Sequence, residues 1–190
     1  NGKQVKITKP KDAMENGIGY LPEDRKLDGI VADLSVRENI ILALQVMRGF
    51  FKPFSKAEAE EFADKYIKLL GIKTASRDTP IKSLSGGNQQ KAILARWLLT
   101  NPQYLILDEP FANVDILMVD EMLNIIKDLQ YNGSSVIISS HNLYEIESIA
   151  DSVLLIDSGL IKLRESLTLL KNENQGNTLK SIILELLKES

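Results

Sequence analysis

Two adjacent carboxylates, Asp108 and Glu109, directly follow the apolar run Tyr-Leu-Ile-Leu at 104–107. Such a run is typical of a buried strand, which would place both carboxylates at the end of that strand. Carboxylate oxygens are ligands that Mg²⁺ prefers, so Asp108 could bind a magnesium ion, directly or through a water molecule. Glu109 could act as a general base that polarises an attacking water. A buried strand that runs into an acidic turn would look the same, so this motif alone is only moderately specific.

A more specific pattern lies at 84–91, where the sequence is Leu-Ser-Gly-Gly-Asn-Gln-Gln-Lys. Two glycines before a helix allow the backbone to approach a ligand closely. The helix N-terminus presents unpaired N–H groups and a partial positive charge to an anion, and Ser85 adds a hydroxyl donor. The alternative is a flexible loop capped by serine or asparagine. That alternative is disfavoured because Asp-Glu-Pro follows downstream at 108–110.

Apolar runs alternate with predicted helices in the second half of the chain. In order, we expect a helix at about 88–100, a strand at 104–107, a helix at 116–130, a strand at 136–138, a short helix, and a strand at 153–156. This alternation is typical of a parallel sheet covered by helices on both faces. Ligands of such sheets bind beyond the carboxyl ends of the strands, and Asp108, Glu109 and His141 all fall at that edge.

Residues 35–71 are predicted to be mainly helical, after a region of short strands and turns at 1–34. Two helix starts carry a capping box, in which a serine and a glutamate three residues later satisfy each other's backbone N–H groups. The pairs are Ser35 with Glu38 and Ser55 with Glu58. The second helix is expected to end at Gly71. Near the C-terminus, an apolar stripe at 179–187 favours a helix packed on the domain or on a second copy over a membrane-surface helix, because its lysines are offset by glutamates.

The composition is that of a soluble globular protein. The 190 residues are 44% hydrophobic and 26% charged, with a formal net charge of -3, which does not favour nucleic acid as the main partner. The absence of cysteine excludes disulfides and thiolate metal sites. No apolar run approaches the roughly 20 residues of a membrane span, and no signal peptide is recognisable. We therefore expect any work at a membrane to be done through a partner.

Taken together, residues 84–141 resemble the ATPase domains of ABC transporters. Residues 84–91 resemble the family's signature motif, 104–110 its Walker B strand, 113–115 its D-loop, and His141 its switch histidine. The resemblance implies a P-loop NTPase-like α/β fold with a helical subdomain, and ATP and Mg²⁺ as cofactors. It implies that Asp108 holds the magnesium ion, Glu109 activates water and His141 senses the γ-phosphate. The residues implied to contact nucleotide are Ser85, Gly86, Gly87, Gln89 and Asp115.

A finer resemblance covers residues 1–111. The segment 19–26, Gly-Tyr-Leu-Pro-Glu-Asp-Arg-Lys, is similar to the second ATPase domain of monosaccharide importers of the ribose and galactofuranose type. Glu23 stands where most ABC ATPases have the Q-loop glutamine, which implies contact with the metal and with the transmembrane partner. A charged turn started by proline is the alternative for this segment, and the downstream signature favours the Q-loop.

Two features depart from the family pattern. The 190 residues contain no Gly-x-x-x-x-Gly-Lys-Ser/Thr P-loop, so the N-terminal portion that holds the β- and γ-phosphates is expected to be missing. Residues 116–190 are more similar to ABC exporter ATPases, and sugar importers usually have a glutamate where His141 stands. A mosaic, natural or engineered, is therefore an open alternative.

These observations predict a partial ABC ATPase domain. Its expected segments are a Q-loop region at 1–34, a helical subdomain at 35–100, a Walker B and switch-histidine core at 101–165, and a helical tail at 166–190. The expected function is to power a membrane transporter, with monosaccharide import favoured. Alternatives are a non-catalytic truncated or chimeric module, an ABC exporter ATPase, and a soluble ABC ATPase of translation or repair. The resemblance implies a second ATPase domain bound head to tail and transmembrane permease subunits as partners, with this chain peripheral on the cytoplasmic face of the cell membrane. We also expect self-association.

Overall fold

The computed structural model describes residues 4–49, 51–112, 114–174 and 177–188. The chain forms two compact units, Asn1–Ser139 and Ser140–Ser190. This division falls inside the segment 101–165 that we predicted as one core, so the segment boundaries stay a prediction. The predicted α/β class is confirmed, because a parallel sheet and packed helices make up the first unit.

Within the described residues, the sheet of the first unit has three parallel strands. They are β1 (Ile18–Leu21), β2 (Tyr104–Asp108) and β3 (Ser135–Ser139), and β2 lies in the centre. Alternate side chains point to opposite faces of a sheet. One face is the core, where Leu21, Leu105 and Leu107 are fully buried. The other face carries large side chains that remain accessible, namely Tyr20 (44% exposed), Tyr104 (45%) and Ile137 (60%). This face of the sheet therefore exposes apolar surface.

The described part of the first unit contains five α-helices along the chain. They are α1 (Pro10–Glu15), α2 (Val36–Arg48), α3 (Lys56–Leu69), α4 (Gly86–Leu98) and α5 (Ile116–Tyr131), with a π-helical turn at Arg25–Gly29 and a 3₁₀ turn at Ile81–Ser83. Both predicted capping boxes are confirmed. In the first, the Ser35 hydroxyl accepts from the Glu38 N–H at 3.2 Å, and the Glu38 carboxylate accepts from the Ser35 N–H at 2.8 Å. These reciprocal bonds satisfy N–H groups that a helix start leaves unpaired.

The signature helix begins earlier than predicted. We expected α4 from about Asn88, but it begins at Gly86, so the two glycines form its first turn rather than a loop before it. Ser85 is extended, with φ −60° and ψ 156°, and its carbonyl accepts the first helical bond from the Gln89 N–H at 3.0 Å. Glycine lowers helix propensity without preventing helical φ and ψ, which explains the difference.

The second unit is a hairpin packed with three helices. Its elements are α6 (Leu143–Ile149), β4 (Ser152–Asp157), β5 (Leu160–Ser166), α7 (Leu167–Glu173) and α8 (Leu179–Lys188). The prediction that the run at 153–156 joins the parallel sheet is wrong, since β4 pairs antiparallel with β5. The reason is the turn: Ser158 and Gly159 have φ of 50° and 77°, the left-handed conformations of a two-residue hairpin.

The apolar stripe of α8 packs within its own unit, which is the first of the two predicted alternatives. The buried core there consists of Leu167, Leu170, Leu179, Ile182 and Ile183. Within the ranges that the structure describes, no helix combines the length and the apolar character needed to cross a membrane.

Candidate functional site

The Asp108 carboxylate is held between two hydroxyl groups at the carboxyl end of the sheet. The Tyr20 hydroxyl donates to Oδ2 at 3.0 Å, and the Ser139 hydroxyl donates to Oδ1. One donor comes from each neighbouring strand, because β2 lies between β1 and β3. Partial burial, followed by the hydrogen bond to Asp108, raises the pKa of Tyr20, so its hydroxyl keeps the proton that it donates.

The same carboxylate suits a magnesium ion. An ionised carboxylate has about four lone-pair sites, and two hydroxyl donors leave further sites on both oxygens. The structure brings together no group of three or more His, Cys, Asp or Glu side chains as a metal cage among its described residues. Magnesium is usually bound by one or two carboxylates together with substrate phosphates rather than by such a cage. Asp108 therefore fits the magnesium ion of a bound nucleotide.

Glu109 has an unusual backbone conformation. Its φ is 42°, in the left-handed region that non-glycine residues rarely adopt. Its N–H donates to the Ser139 carbonyl at 3.1 Å and to the Ser139 hydroxyl at 3.2 Å, and its carbonyl accepts from the Ala112 N–H at 3.0 Å. Such conformations persist where surrounding bonds hold them, and they are frequent at functional sites.

The start of α4 carries the predicted anion-binding residues. Ser85 is the N-cap residue, but its side chain makes no hydrogen bond to the helix backbone. Its hydroxyl accepts from the Asn88 amide at 2.8 Å instead, which leaves the Ser85 proton available to a ligand. The first-turn N–H groups of α4 are therefore not capped by this serine, as an anion site requires.

Both signature glycines also have a packing role that the sequence did not indicate. A Cβ atom on Gly86 would lie 2.3 Å from Arg25 Nη2, and one on Gly87 would lie 2.6 Å from Met118 Sδ. We expected the glycines to allow close approach of a ligand. The structure adds that they allow close approach of two side chains of the same chain.

The other predicted contact residues of the first unit have varied surroundings. Gln89 is buried, and its amide donates to the Leu84 carbonyl at 3.0 Å, so it holds the loop before the helix. Asp115 is exposed and caps α5, accepting from the Met118 N–H at 3.1 Å. Glu23 is exposed after β1. Asn113 of the predicted D-loop lies outside the described residues. The nucleotide roles of Gln89, Asp115 and Glu23 stay predictions.

His141 belongs to the second unit. There it lines a cavity of about 310 Å³, together with residues of α6 and the start of α8 that include Tyr144, Glu147 and Lys180. The predicted gathering of His141 with the carboxylates of the first unit at one sheet edge stays a prediction.

A buried polar network was not predicted. Arg96 of α4 is 7% exposed and donates to the Gly29 carbonyl at 2.7 Å, the Asn39 carbonyl at 2.8 Å and Asn39 Oδ1 at 2.9 Å. Burial lowers the pKa of Arg96 to about 10, which leaves it charged at neutral pH. These hydrogen bonds join α4 to the segment that follows Glu23 and to α2. An arginine and an asparagine on otherwise apolar helix faces are the signal that could have revealed it.

Comparison with known proteins shows which family this chain is similar to. A family model described as ABC transporter matches residues 1–112. The chain is 48% identical over 155 residues to the galactofuranose transporter ATP-binding protein YtfR of Escherichia coli, covering 82% of this chain and 31% of that protein. It is 46% identical over 153 residues to the fructose import ATP-binding protein FruK of Bifidobacterium longum, with coverages of 80% and 30%. A ribose import ATP-binding protein, RbsA of Bacillus cereus, is 42% identical, with coverages of 85% and 32%. The chain thus spans about a third of the length of these relatives.

Solved structures agree with this fold. The dimeric ATP-binding cassette MJ0796, in a post-hydrolysis state bound to ADP and Pi, superposes with a TM-score of 0.72 at 20% identity over 85% of this chain and 68% of that one. An ATP-binding subunit of an ABC transporter gives a TM-score of 0.74 at 22% identity, covering 90% of this chain and 69% of that one. At these identities the likeness establishes the fold alone.

Proposed function

This chain belongs to the ABC transporter family, and from that premise we propose that it is the nucleotide-binding and hydrolysing part of a sugar importer. The names of the relatives support monosaccharide import, because they are galactofuranose, fructose and ribose transport proteins. The solute itself is bound by other subunits in such systems, so the proposal concerns the energy-coupling step.

The observation that supports the proposal is that hydrogen bonds hold the pair of carboxylates at the end of β2. Asp108 receives hydrogen bonds on both oxygens, and Glu109 follows it in a constrained backbone conformation. Groups that are already held in place can bind a metal ion or orient a water without rearranging during the reaction. A strand that simply ran into an acidic turn would not need donors from both neighbouring strands.

Each residue then has a specific task. Asp108 would hold the magnesium ion, and Glu23 would contribute to the same ion from the loop after β1. When bound, the ion would neutralise charge on the nucleotide phosphates. Glu109 takes a proton from the attacking water as general base. His141 donates a hydrogen bond to the γ-phosphate.

The signature residues act on a nucleotide held by an opposing domain. In this proposal two ATPase domains face each other head to tail, so that Ser85, Gly86 and Gly87 meet a nucleotide bound to the P-loop of the other domain. Gln89 and Asp115 complete that contact, the first by holding the loop and the second from the start of α5. The pair works against permease subunits on the cytoplasmic face of the membrane.

The signature's role can be tested in trans. A P-loop-containing ATPase domain of a sugar importer is titrated with ATP in the presence of this chain. The wild-type chain should raise ATP affinity roughly 5- to 150-fold, the scale of a coupling of about 1–3 kcal/mol. Ser85→Arg should abolish the gain, because the larger side chain would occupy the phosphate position. Ser148→Arg, at an exposed position of α6, is the matched control and should keep the gain. Equal affinities with the wild-type and Ser85→Arg chains would refute the proposal.

The 190 residues contain no P-loop motif, so we make a separate prediction for this polypeptide on its own. Without the backbone cradle and its lysine, this polypeptide alone should release no phosphate from ATP. The measurement compares phosphate release by the wild-type chain with that by Glu109→Gln. Release well above that control would contradict this expectation.

The class of partner can be determined separately. Immobilised chain should retain permease subunits from solubilised membranes in the presence of ATP and a P-loop-containing domain. Retention of ribosomes or DNA in place of permease would favour an ABC ATPase of translation or repair. The net charge of -3 argues against that outcome.

A further inference from the structure

Ser139 contacts both residues of the carboxylate pair. It is the last residue of β3 and the register partner of Asp108 across the two parallel strands. Its hydroxyl donates to Asp108 Oδ1 and accepts from the Glu109 N–H at 3.2 Å, while its carbonyl accepts from the same N–H at 3.1 Å. One residue therefore holds the Asp108 side chain and the Glu109 backbone together.

The chemistry of a hydroxyl suits this double contact. A serine hydroxyl has one proton and two acceptor lone pairs. Its proton is directed to Asp108, since an ionised carboxylate only accepts, and a lone pair then faces the Glu109 N–H. Tyr20 holds the other oxygen of Asp108, from the strand on the opposite side of β2. The Ser139 hydroxyl bonds to both members of the pair.

We propose that Ser139 is a positioning residue of the hydrolytic site, which aims the Asp108 carboxylate and maintains the left-handed turn at Glu109. This inference rests on the proposed function, because it gives the two carboxylates their roles. It assigns a task to a residue that neither the sequence patterns nor the family match singled out. The required feature is the hydroxyl, so threonine at position 139 should preserve the positioning role and valine should not.

The first measurement is amide hydrogen exchange of the chain by NMR, without metal. Ser139→Ala should speed exchange of the Glu109 amide about three- to tenfold, because one acceptor is lost while the carbonyl of residue 139 remains. The Leu105 amide, in the middle of β2, should be unchanged. Ser139→Thr should keep the slow exchange at Glu109. Ser139→Val should not, because valine has the shape of threonine but no hydroxyl. Ser135→Ala, at the other end of β3, is the matched control.

The second measurement uses Mn²⁺ as a paramagnetic probe. Mn²⁺ should broaden the amide signals of Asp108 and Glu109 in the wild-type chain, and Ser139→Ala and Ser139→Val should each need several-fold more Mn²⁺ for the same broadening. Asp108→Asn tests the proposed metal site itself. If Asp108→Asn leaves the broadening unchanged, the proposed metal role is wrong. If Asp108→Asn abolishes broadening but Ser139→Ala and Ser139→Val match the wild type in both measurements, the role of Ser139 is wrong.

The threonine and valine variants keep the proposal testable if the alanine variant does not fold. Both residues are β-branched and suit a strand, so they differ at this position only in the hydroxyl. Fluorescence of the single tryptophan, Trp97, reports whether each variant is folded. If the alanine variant is unfolded, equal Glu109 exchange in the threonine and valine variants overturns the proposal, and slow exchange in threonine alone supports it.

Discussion

Replacing Asn39 by alanine should destabilise the first unit strongly. Asn39 is fully buried in α2. Its Oδ1 accepts from the Val31 N–H at 2.9 Å and from Arg96 Nη2 at 2.9 Å, and its amide donates to the carbonyls of Val31, Leu34 and Ser35 at 3.0–3.3 Å. The side chain thus joins three parts of the unit: α2, α4 and the segment that leads from the Glu23 loop.

The magnitude follows from these bonds. Two acceptor contacts and two amide protons amount to four hydrogen bonds, each with a net contribution of about 1 kcal/mol. The alanine variant leaves the Val31 N–H and one Arg96 N–H buried without that partner. We expect a loss of about 4 kcal/mol, a large part of the 5–15 kcal/mol typical of a domain. The melting temperature should fall by roughly 8–16 °C for a chain of this size.

The assay is urea unfolding followed by Trp97 fluorescence. Trp97 is the only tryptophan and lies in α4, so its signal reports the first unit. Asn132→Ala is the matched control, because Asn132 is exposed and its amide donates to the Asp128 carbonyl at 2.7 Å, away from the buried network. That control should lose less than about 1 kcal/mol.

A double-mutant cycle checks the physical reasoning. The losses for Asn39→Ala and Arg96→Met should be non-additive by about 1–2 kcal/mol, because each variant removes the bond that the two side chains share. A loss below about 1 kcal/mol for Asn39→Ala, or strict additivity in the cycle, would show that the network contributes little to stability.

Three further predictions concern other parts of the chain. Gly87→Ala should change the stability of the first unit by no more than about 1 kcal/mol. The added Cβ would lie 2.6 Å from Met118 Sδ, but that atom is at the far end of a flexible side chain that can move aside; a loss above about 2 kcal/mol would contradict this. Hydrogen bonds from the Ser35 side chain and backbone lower the pKa of Glu38 below 4.5. The stability that these bonds confer is therefore present above that pH and is lost as the pH falls. Ser35→Ala should weaken this pH dependence in urea unfolding at about pH 7 and pH 4, and an unchanged pH dependence would argue against it. The exposed sheet face should cause self-association at high protein concentration, and Ile137→Lys should reduce it in sedimentation velocity; a wild-type monomer that binds no apolar dye would count against this prediction.

Helix starts could be predicted because they depend on neighbours in the chain. The capping boxes at Ser35 and Ser55 involve partners three residues away, and both are present. The strand β2 was likewise predicted from its own apolar residues. The placement of Asp108 and Glu109 at its end followed from the same local pattern.

The pairing of β4 could not be predicted from its apolar run. A run such as that at 153–156 can join a parallel sheet or a hairpin, and the choice depends on the connection that follows. The signal was the sequence Asp-Ser-Gly at 157–159, which forms the tight turn into β5. The turn residues therefore indicated the antiparallel pairing of β4 more clearly than the strand residues did.

The sequence by itself determined which residues could do chemistry, and the tertiary structure decided what holds them. Asp108 and Glu109 stand out from their types and their position after an apolar run. Their partners do not, since Tyr20 lies 88 positions from Asp108 and Ser139 lies 31 positions away. A hydroxyl hydrogen bond has a reach of about 3 Å, so it forms only if three strands align in one register. That register is set by which apolar side chains of all three strands are buried together, so no single segment of the chain determines it.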